Sequence, residues 1–352
     1  MSELRYPVER LENFIHAVLT AHDVLDDHAR ICAVRMIEAD LHGMHGHGIF
    51  RLPPYCRRIR EGGYNLKPDI RAERETAVSA LVDGDNGFGQ VVVTFAAELA
   101  IQKARESGLA WIGIRHGNHA GAAGVYAALP LAHDMIGMYM AVANANHMPP
   151  WGGVDMLLST NPIAYAIPAG EEPPFVLDMA TTETSYGKVK VYAQEGKPMP
   201  EGWMMTRDGK PLTDASRAEE GFLLPIGGHK GYGLNMMIGA LAGVLNGAAF
   251  GSDVIDFNKD FQTPTNTGQV FFAMRPDIFR DLDDFKAEMD LRIREIRNSA
   301  PMEGKGPIRI PGENLARRKD EMRREGVPVA APVIAQLREL AEELDLGDRL
   351  AD

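Results

Sequence analysis

The stretch LAWIGIRHGNHAGAAG, residues 109–124, sets the architecture of this chain. Residues 109–116 are largely apolar and read as a strand. Gly117, Gly121 and Gly124 surround His119 in a turn, and residues 121–133 read as a helix. A strand feeding a glycine-lined turn and then a helix is an α/β unit, and ligands in such folds collect at the carboxyl ends of strands. The glycines let a flat ring or a phosphate approach the backbone. His119 is therefore a candidate proton-transfer residue, with a satisfied structural histidine as the plain alternative.

Working outward, SALVDGDNGFGQ (79–90) reads as a strand and turn, and residues 90–106 as a helix. IGMYMAVANAN (136–146) is a strand, and STNPIAYAIP (159–168) with PFVLDMAT (174–181) a strand pair. Residues 196–220 are rich in Pro, Gly and charge and read as an exposed excursion. GYGLNMMIGALAGVL (231–245) reads as a buried helix whose face is stripped by Gly239, Gly243 and Gly247. GQVFFAMRP (268–276) is a further strand.

Both ends of the chain are helical. Pro7 opens a helix with Val8, Leu11, Ile15, Val18 and Leu19 on one face. Residues 26–41 form a second, with Ile31, Val34, Ile37 and Leu41 inward. A third runs from near His47 towards Arg60, with Pro53 and Pro54 in its first turn or breaking it. From residue 277 the pattern is helical again, with Phe285, Met289, Leu291, Ile293 and Ile296 apolar. A loop at 304–313 precedes two closing helices, the last carrying Val333, Leu337, Leu340 and Leu344.

The 352 residues are 45% hydrophobic and 24% charged, ordinary for a globular protein with a sizeable core. A formal net charge of −12 argues against a nucleic-acid partner, whose phosphates demand a basic face. The two cysteines, Cys32 and Cys56, fit a reducing cytoplasm and exclude a disulfide scaffold. MSELRYPVERLENF has no apolar signal core, and LNMMIGALAGVLNGAAF (234–250) is too short and too rich in small residues to span a bilayer.

No G-x-G-x-x-G follows a strand, and neither G-x-x-x-x-G-K-[ST] nor H-E-x-x-H occurs. The tract LHGMHGHG holds His42, His45 and His47 without acidic or thiol ligands close by, so no metal is expected and the first two read as surface histidines. His47 differs because Arg51 and Tyr55 follow at i+4 and i+8, one face if the segment is helical. An arginine fork grips a carboxylate, a tyrosine hydroxyl can donate to an oxyanion, and an imidazole can move the proton of a carbonyl or imine being reduced. A surface ion pair at Arg51 and a core Tyr55 are the competing reading. Asn144 and Asn146 follow a strand, Asp178 ends another, and His229 and Lys230 sit beside glycines ahead of a helix, a good anion position.

These blocks resemble the malate/L-lactate dehydrogenase type 2 family, which includes ureidoglycolate dehydrogenase, sulfolactate dehydrogenase, diketogulonate reductase and Δ1-piperideine-2-carboxylate reductase. The resemblance runs almost end to end, through ADLHGMHGHGIFRLPPY (39–55), DGDNGFGQ (83–90), HGNHAGAAGVYA (116–127), PPWGG (149–153), TNPIAYAIP (160–168), DMATTETSYGK (178–188), LPIGGHKGYGL (224–234), NTGQVFFAM (266–274) and IPGE (310–313). It implies an α+β fold: a non-Rossmann NAD(P)-binding domain with a largely antiparallel central sheet, here residues 76–276, and a helical domain from both chain ends, residues 1–75 with 277–352. It implies a homodimer that transfers a hydride between NAD or NADP and C2 of a small 2-hydroxy or 2-oxo acid. Reduction of a cyclic or 2-imino acid, or a nucleotide-binding homologue with altered catalysis, are the alternatives. Catalysis falls on His119 and His47, and substrate binding on Arg51 and Tyr55. Cofactor contacts fall on Asn144, Asp178, Met179, Ala180, His229, Lys230 and Arg309. Three departures stand at the site: Gly46 replaces the usual serine before the first histidine, His116-Gly117-Asn118 replaces the usual Asn-Ser before the second, and His229 replaces the tyrosine of the G-G-Y-K-G block.

Overall fold

A computed structural model describes residues 3–347 and 349–350. The strands are β1 (Glu3–Tyr6), β2 (Arg71–Glu73), β3 (Ser79–Asp83), β4 (Leu109–Gly117), β5 (Ile136–Ala141), β6 (Ile163–Ile167), β7 (Phe175–Met179), β8 (Met204–Thr206), β9 (Gly221–Leu223), β10 (Thr267–Met274) and β11 (Val327–Ala330). The helices are α1 (Val8–Ala21), α2 (Asp26–Leu41), α3 (Leu52–Arg60), α4 (Gly89–Ser107), α5 (Ala123–Ala127), α6 (Tyr186–Gln194), α7 (His229–Ile238), α8 (Leu282–Arg297), α9 (Leu315–Glu325) and α10 (Ala331–Glu343).

Seven strands form one sheet in the order β2-β3-β4-β10-β5-β6-β7. Every neighbouring pair is antiparallel except β3 and β4, whose parallel pairing is made possible by the α4 crossover. Strand residues divide by the period of two. Ile112, Ile114, Tyr139, Phe271 and Ala273 face the alanine-rich side of α4 and the short α5. Met138, Met140, Val142 and Val270 face Ile238 and Ala242 on the opposite side. Burial on both faces explains why β5 and β10 read as nearly continuous apolar runs.

The chain ends meet. β1 pairs antiparallel with β11, and α1, α2, α3 and α10 share one core that also takes in Phe88 and Phe257 from the sheet region. Neither four-residue strand was expected, because each is too short to show a period and β11 contains Pro328.

Other segments differ from the sequence reading for local reasons. His47 is not on an α-helix: two 3₁₀ turns, His45–His47 and Ile49–Arg51, precede α3. Gly48 separates them because Asp40 needs the space; a Cβ at Gly48 would lie 2.1 Å from its carboxyl group. That buried carboxylate accepts from Ile49 N (2.8 Å) and pairs with His45 Nδ1 (3.0 Å). Pro53 and Pro54 fall in the first turn of α3, where a missing N–H costs nothing. The expected 121–133 helix divides into α5 and a 3₁₀ turn, Leu129–His133. α7 stops at Ile238 and continues as a π turn, where Gly239 and Gly243 back onto Phe250; Gly247 instead takes φ 67° in a left-handed turn. On α8, Leu291 and Ile296 are exposed, and the buried Asp290 instead accepts three backbone N–H bonds from residues 170–172. The 196–220 excursion carries its own small core, built from Val189, Met199, Met204, Leu212 and Leu223 under the β8–β9 hairpin.

Candidate active site

The two glycine-flanked histidines converge although 72 residues separate them in sequence. The rings of His47 and His119 stack with centroids 5.4 Å apart and planes 22° from parallel. Three elements set this up. The 3₁₀ turn after α2 carries His47, and the turn after β4 carries His119. Gly89, the first residue of α4, packs so tightly on that second turn that a Cβ there would sit 2.3 Å from the Asn118 carbonyl oxygen. Asn118 pins the same turn from within, donating to the carbonyls of Asn86 (3.1 Å) and Gly87 (2.9 Å).

Behind His119 lies a buried polar chain. The Tyr55 hydroxyl is 2.7 Å from His119 Nδ1, and Gln90 Nε2 donates to that hydroxyl at 3.0 Å. Tyr55 and Gln90 are both buried. Tyr55 thus faces the imidazole rather than the cleft, and its hydroxyl is committed to holding His119. Phe257 also stacks on His119, with centroids 5.5 Å apart.

Arg51 borders the pair. Its Nε donates to Gly46 O (2.9 Å) and its Nη1 to Asn258 Oδ1 (3.2 Å), and no carboxylate of the described residues pairs with it. Asn258 and Phe257 belong to a loop anchored by the buried Arg58, which donates to the carbonyls of Asp260 (2.8 Å) and Thr263 (2.5 Å).

Burial dominates the electrostatics. It pushes His47 down to about 4, with the Arg51 charge adding to the effect. It pushes His119 well below its ordinary range, with Arg51 and His47 adding. Both imidazoles are therefore uncharged near neutrality and able to accept a proton. His47 Nδ1 is buried without a hydrogen-bond partner among the described residues.

Asp178 and Arg309 come together elsewhere, in a cavity of about 240 Å3 that also touches His42, Gly312, Glu313 and Arg318. Asp178 accepts from Gly124 N at 2.7 Å, which ties this wall to the helix after the His119 turn. Burial raises its carboxyl to about 6, against the pull of that N–H. Neither Arg309 nor Arg318 has an ion-pair partner among the described residues. Met179 and Ala180 continue from Asp178, and the turn leading to His229 and Lys230 bonds back to Thr181 through Ile226 N (3.0 Å). His229 and Lys230 are exposed, with Trp151 beside His229. Asn144 touches the histidine region through its backbone, its carbonyl accepting from Phe257 N at 2.9 Å; its side chain bonds Thr267. A larger cavity of about 310 Å3, between Arg105, His133 and Arg275, holds none of these residues. Among the described residues no three His, Cys, Asp or Glu side chains gather as a metal site, and no helix is long and apolar enough to cross a membrane.

Gln90, Phe257, Asn258 and Arg58 were not singled out from sequence, and Asn118 was noted only as a departure from the usual Asn-Ser. Gln90 left one trace, a lone amide at the start of the apolar run GQVVVTFAA (89–97). Phe257 and Asn258 left none, because their loop reaches the histidines only through tertiary folding.

The sequence profile of the malate/L-lactate dehydrogenase family matches residues 6–338. The chain belongs to the malate/L-lactate dehydrogenase family. Within it, the chain is 38% identical to a malate dehydrogenase of Pyrococcus abyssi, covering 97% of this chain and 95% of that protein. It is 39% identical to the L-sulfolactate dehydrogenase of Methanocaldococcus jannaschii, over 96% of this chain and 97% of the relative. The solved structure of that sulfolactate dehydrogenase superposes with a TM-score of 0.89 at 37% identity, covering 97% of this chain and 98% of the other. A ureidoglycolate dehydrogenase (NAD(+)) of Escherichia coli is 31% identical over 94% of this chain and 93% of its own length. The dehydrogenases of this family act on hydroxy acids, and the mixed sheet-and-helix fold described above is theirs.

Proposed function

We propose that the chain moves a hydride between NAD(P) and C2 of a small 2-hydroxy or 2-oxo acid. The observation that carries this reading is the stacked pair His47–His119 beside Arg51, a cation with only neutral acceptors. A carboxylate displaces the Asn258 amide oxygen from Arg51 readily, because a charged acceptor is roughly twice as strong as a neutral one. His119 Nε2 makes no bond to any of the described residues and takes the proton of the C2 hydroxyl as the C2 hydride departs; in reduction the proton returns to the forming alkoxide. His47, with its rings offset over His119, hydrogen-bonds the reacting oxygen. A bound carboxylate also offsets the Arg51 charge, which adds to burial in disfavouring protonated His119, and so makes the imidazolium less costly in the complex.

The cavity at Asp178 supports the cofactor assignment. At about 240 Å3 it is smaller than the roughly 300–1,000 Å3 of drug-sized sites, so it takes one part of a dinucleotide. Asp178 offers an acceptor for ribose hydroxyls, and the unpaired Arg309 and Arg318 offer donors for phosphate. Asn144, Met179, Ala180, His229 and Lys230 belong to the same proposal through the resemblance. When bound, the nicotinamide supplies the hydride acceptor or donor. The name of the ureidoglycolate relative favours such a cofactor. The reading includes a cytoplasmic homodimer, checked by sedimentation at twice 38.6 kDa.

The test is a panel of 2-oxo acids, 2-hydroxy acids and cyclic imines, run with NADH or NADPH (NAD+ or NADP+ for oxidation) on the parent and on His119→Ala. Turnover on an acid of the panel, lost by orders of magnitude in His119→Ala while nucleotide binding persists, supports the proposal. Turnover that survives the substitution removes His119 from the mechanism, and a parent that turns over nothing in the panel removes the activity.

A further inference from the structure

We propose that Gln90 is a positioning residue: by turning its amide to accept from the Tyr55 hydroxyl, it gives His119 the Nδ1–H tautomer whose Nε2 can take a proton. The inference rests on the acid–base role proposed above for His119.

The argument follows the protons. Tyr55 O stands between His119 Nδ1 (2.7 Å) and the Gln90 amide (3.0 Å). The Tyr55 hydroxyl has no third partner among the described residues, so its one proton goes to one of these two neighbours and the chain runs in one of two directions. With Gln90 Nε2 donating to Tyr55, the hydroxyl donates onward to Nδ1, and the neutral imidazole carries its proton on Nε2. That tautomer has no lone pair facing the cleft and cannot take a proton from a substrate. With the amide turned over, Gln90 Oε1 accepts from Tyr55, Tyr55 accepts from Nδ1–H, and the Nε2 lone pair is free. This second arrangement also suits the imidazolium, whose Nδ1 must donate. A proton can then enter and leave Nε2 with nothing behind the ring rearranged.

Gln90 is built to turn. Its Oε1 is buried with no partner among the described residues, so none of them holds the amide in one orientation. One amide atom stays unpartnered either way, and the Tyr55 hydroxyl alone distinguishes the two. The rest of the residue is fixed: Gln90 is 1% exposed in the first turn of α4, directly after the Gly89 that packs on the His119 turn. The titratable and charged groups around the ring are Arg51, His47 and Tyr55, with Cys32, Cys56 and Tyr64 beyond Tyr55 and the Arg58 guanidinium against the rings of Phe257 and Tyr64.

Two substitutions test this with opposite signs. Gln90→Leu removes the acceptor, and Gln90→Glu replaces it with a stronger one. The first readout needs no cofactor: long-range 1H–15N NMR of 15N-histidine-labelled protein, titrated with pH, reports the tautomer and pKa of His119. Gln90→Leu is expected to move His119 towards the Nε2–H tautomer and lower its pKa, and Gln90→Glu to move both the other way. The second readout is kinetic: at least a tenfold fall in kcat for Gln90→Leu, with substrate KM within twofold of the parent. Tyr55→Phe combined with Gln90→Leu should be no worse than Tyr55→Phe alone. If Gln90→Leu does not fold, Gln90→Met and Gln90→Glu carry the same comparison. An unchanged tautomer in the leucine or methionine variant overturns the proposal, as does a pKa moved in the same direction by the glutamate variant. Failure of the parent proposal looks different: there His119→Ala itself keeps its turnover, whereas here His119→Ala is inactive and Gln90→Leu fully active.

Discussion

Gly89→Ala perturbs the site without touching any group that does chemistry. The new methyl carbon would lie 2.3 Å from Asn118 O, 2.5 Å from His119 O and 2.6 Å from His119 C. All three are backbone atoms that cannot swing aside, and ordinary van der Waals contact begins near 3.4 Å. The start of α4 and the His119 turn must therefore separate by about 1 Å. Such overpacking costs about 1–3 kcal/mol, and a displacement of about 1 Å in a reacting group costs on the order of 100-fold in rate. The separation also pulls Gln90, on α4, away from the Tyr55–His119 bond. Initial rates with saturating cofactor and 2-oxo acid should show kcat down on the order of 100-fold, and thermal unfolding should show a lower midpoint. Gly233→Ala is the matched control, an exposed α7 position where a Cβ meets nothing within 4 Å; it should stabilise slightly, as alanine does in a helix. Parental kcat and unfolding midpoint in Gly89→Ala would refute the claim that this contact sets the position of His119.

Arg51→Lys keeps the charge and loses the fork, so kcat/KM for a carboxylate substrate should fall about 10- to 100-fold while the fold survives; equal rates would place the carboxylate elsewhere. Arg318→Ala should raise KM for the dinucleotide at least severalfold and leave the 2-oxo acid KM alone if the Asp178 cavity takes part of the cofactor, which steady-state kinetics with each nucleotide will show. His47 stays uncharged down to about 4 in the folded protein, whereas an unfolded histidine takes up its proton near 6.5. The unfolded state thus binds more protons between those values, so this residue makes stability rise with pH across that window and fall on acidification. Asp178, raised to about 6, works in the opposite sense, so the measurement is the difference in urea midpoint between parent and His47→Gln from pH 4 to 6.5; parallel profiles would show that His47 is not buried neutral.

Much of this was legible in the chain itself. Strand runs such as IGMYMA (136–141) and the amphipathic first helix follow from local periodicity, since each buries a face against whatever packs on it. His47, Arg51 and His119 were visible because glycines around an imidazole mark backbone left open for a ligand. Tyr55 was visible too, but its direction was not: the i+8 spacing aims it at substrate alongside Arg51, and the structure instead places its hydroxyl 2.7 Å from His119 Nδ1.

The sequence by itself determined the longer strands and helices, and which residue types could hold a carboxylate and move a proton, because those properties depend on neighbours a few positions away. Only the tertiary structure decided that β1 joins β11, that Phe257 and Asn258 reach the histidines, and that Gln90 stands behind Tyr55. Those contacts depend on long-range packing, and a lone buried amide or a four-residue strand carries no period from which its distant partner can be read.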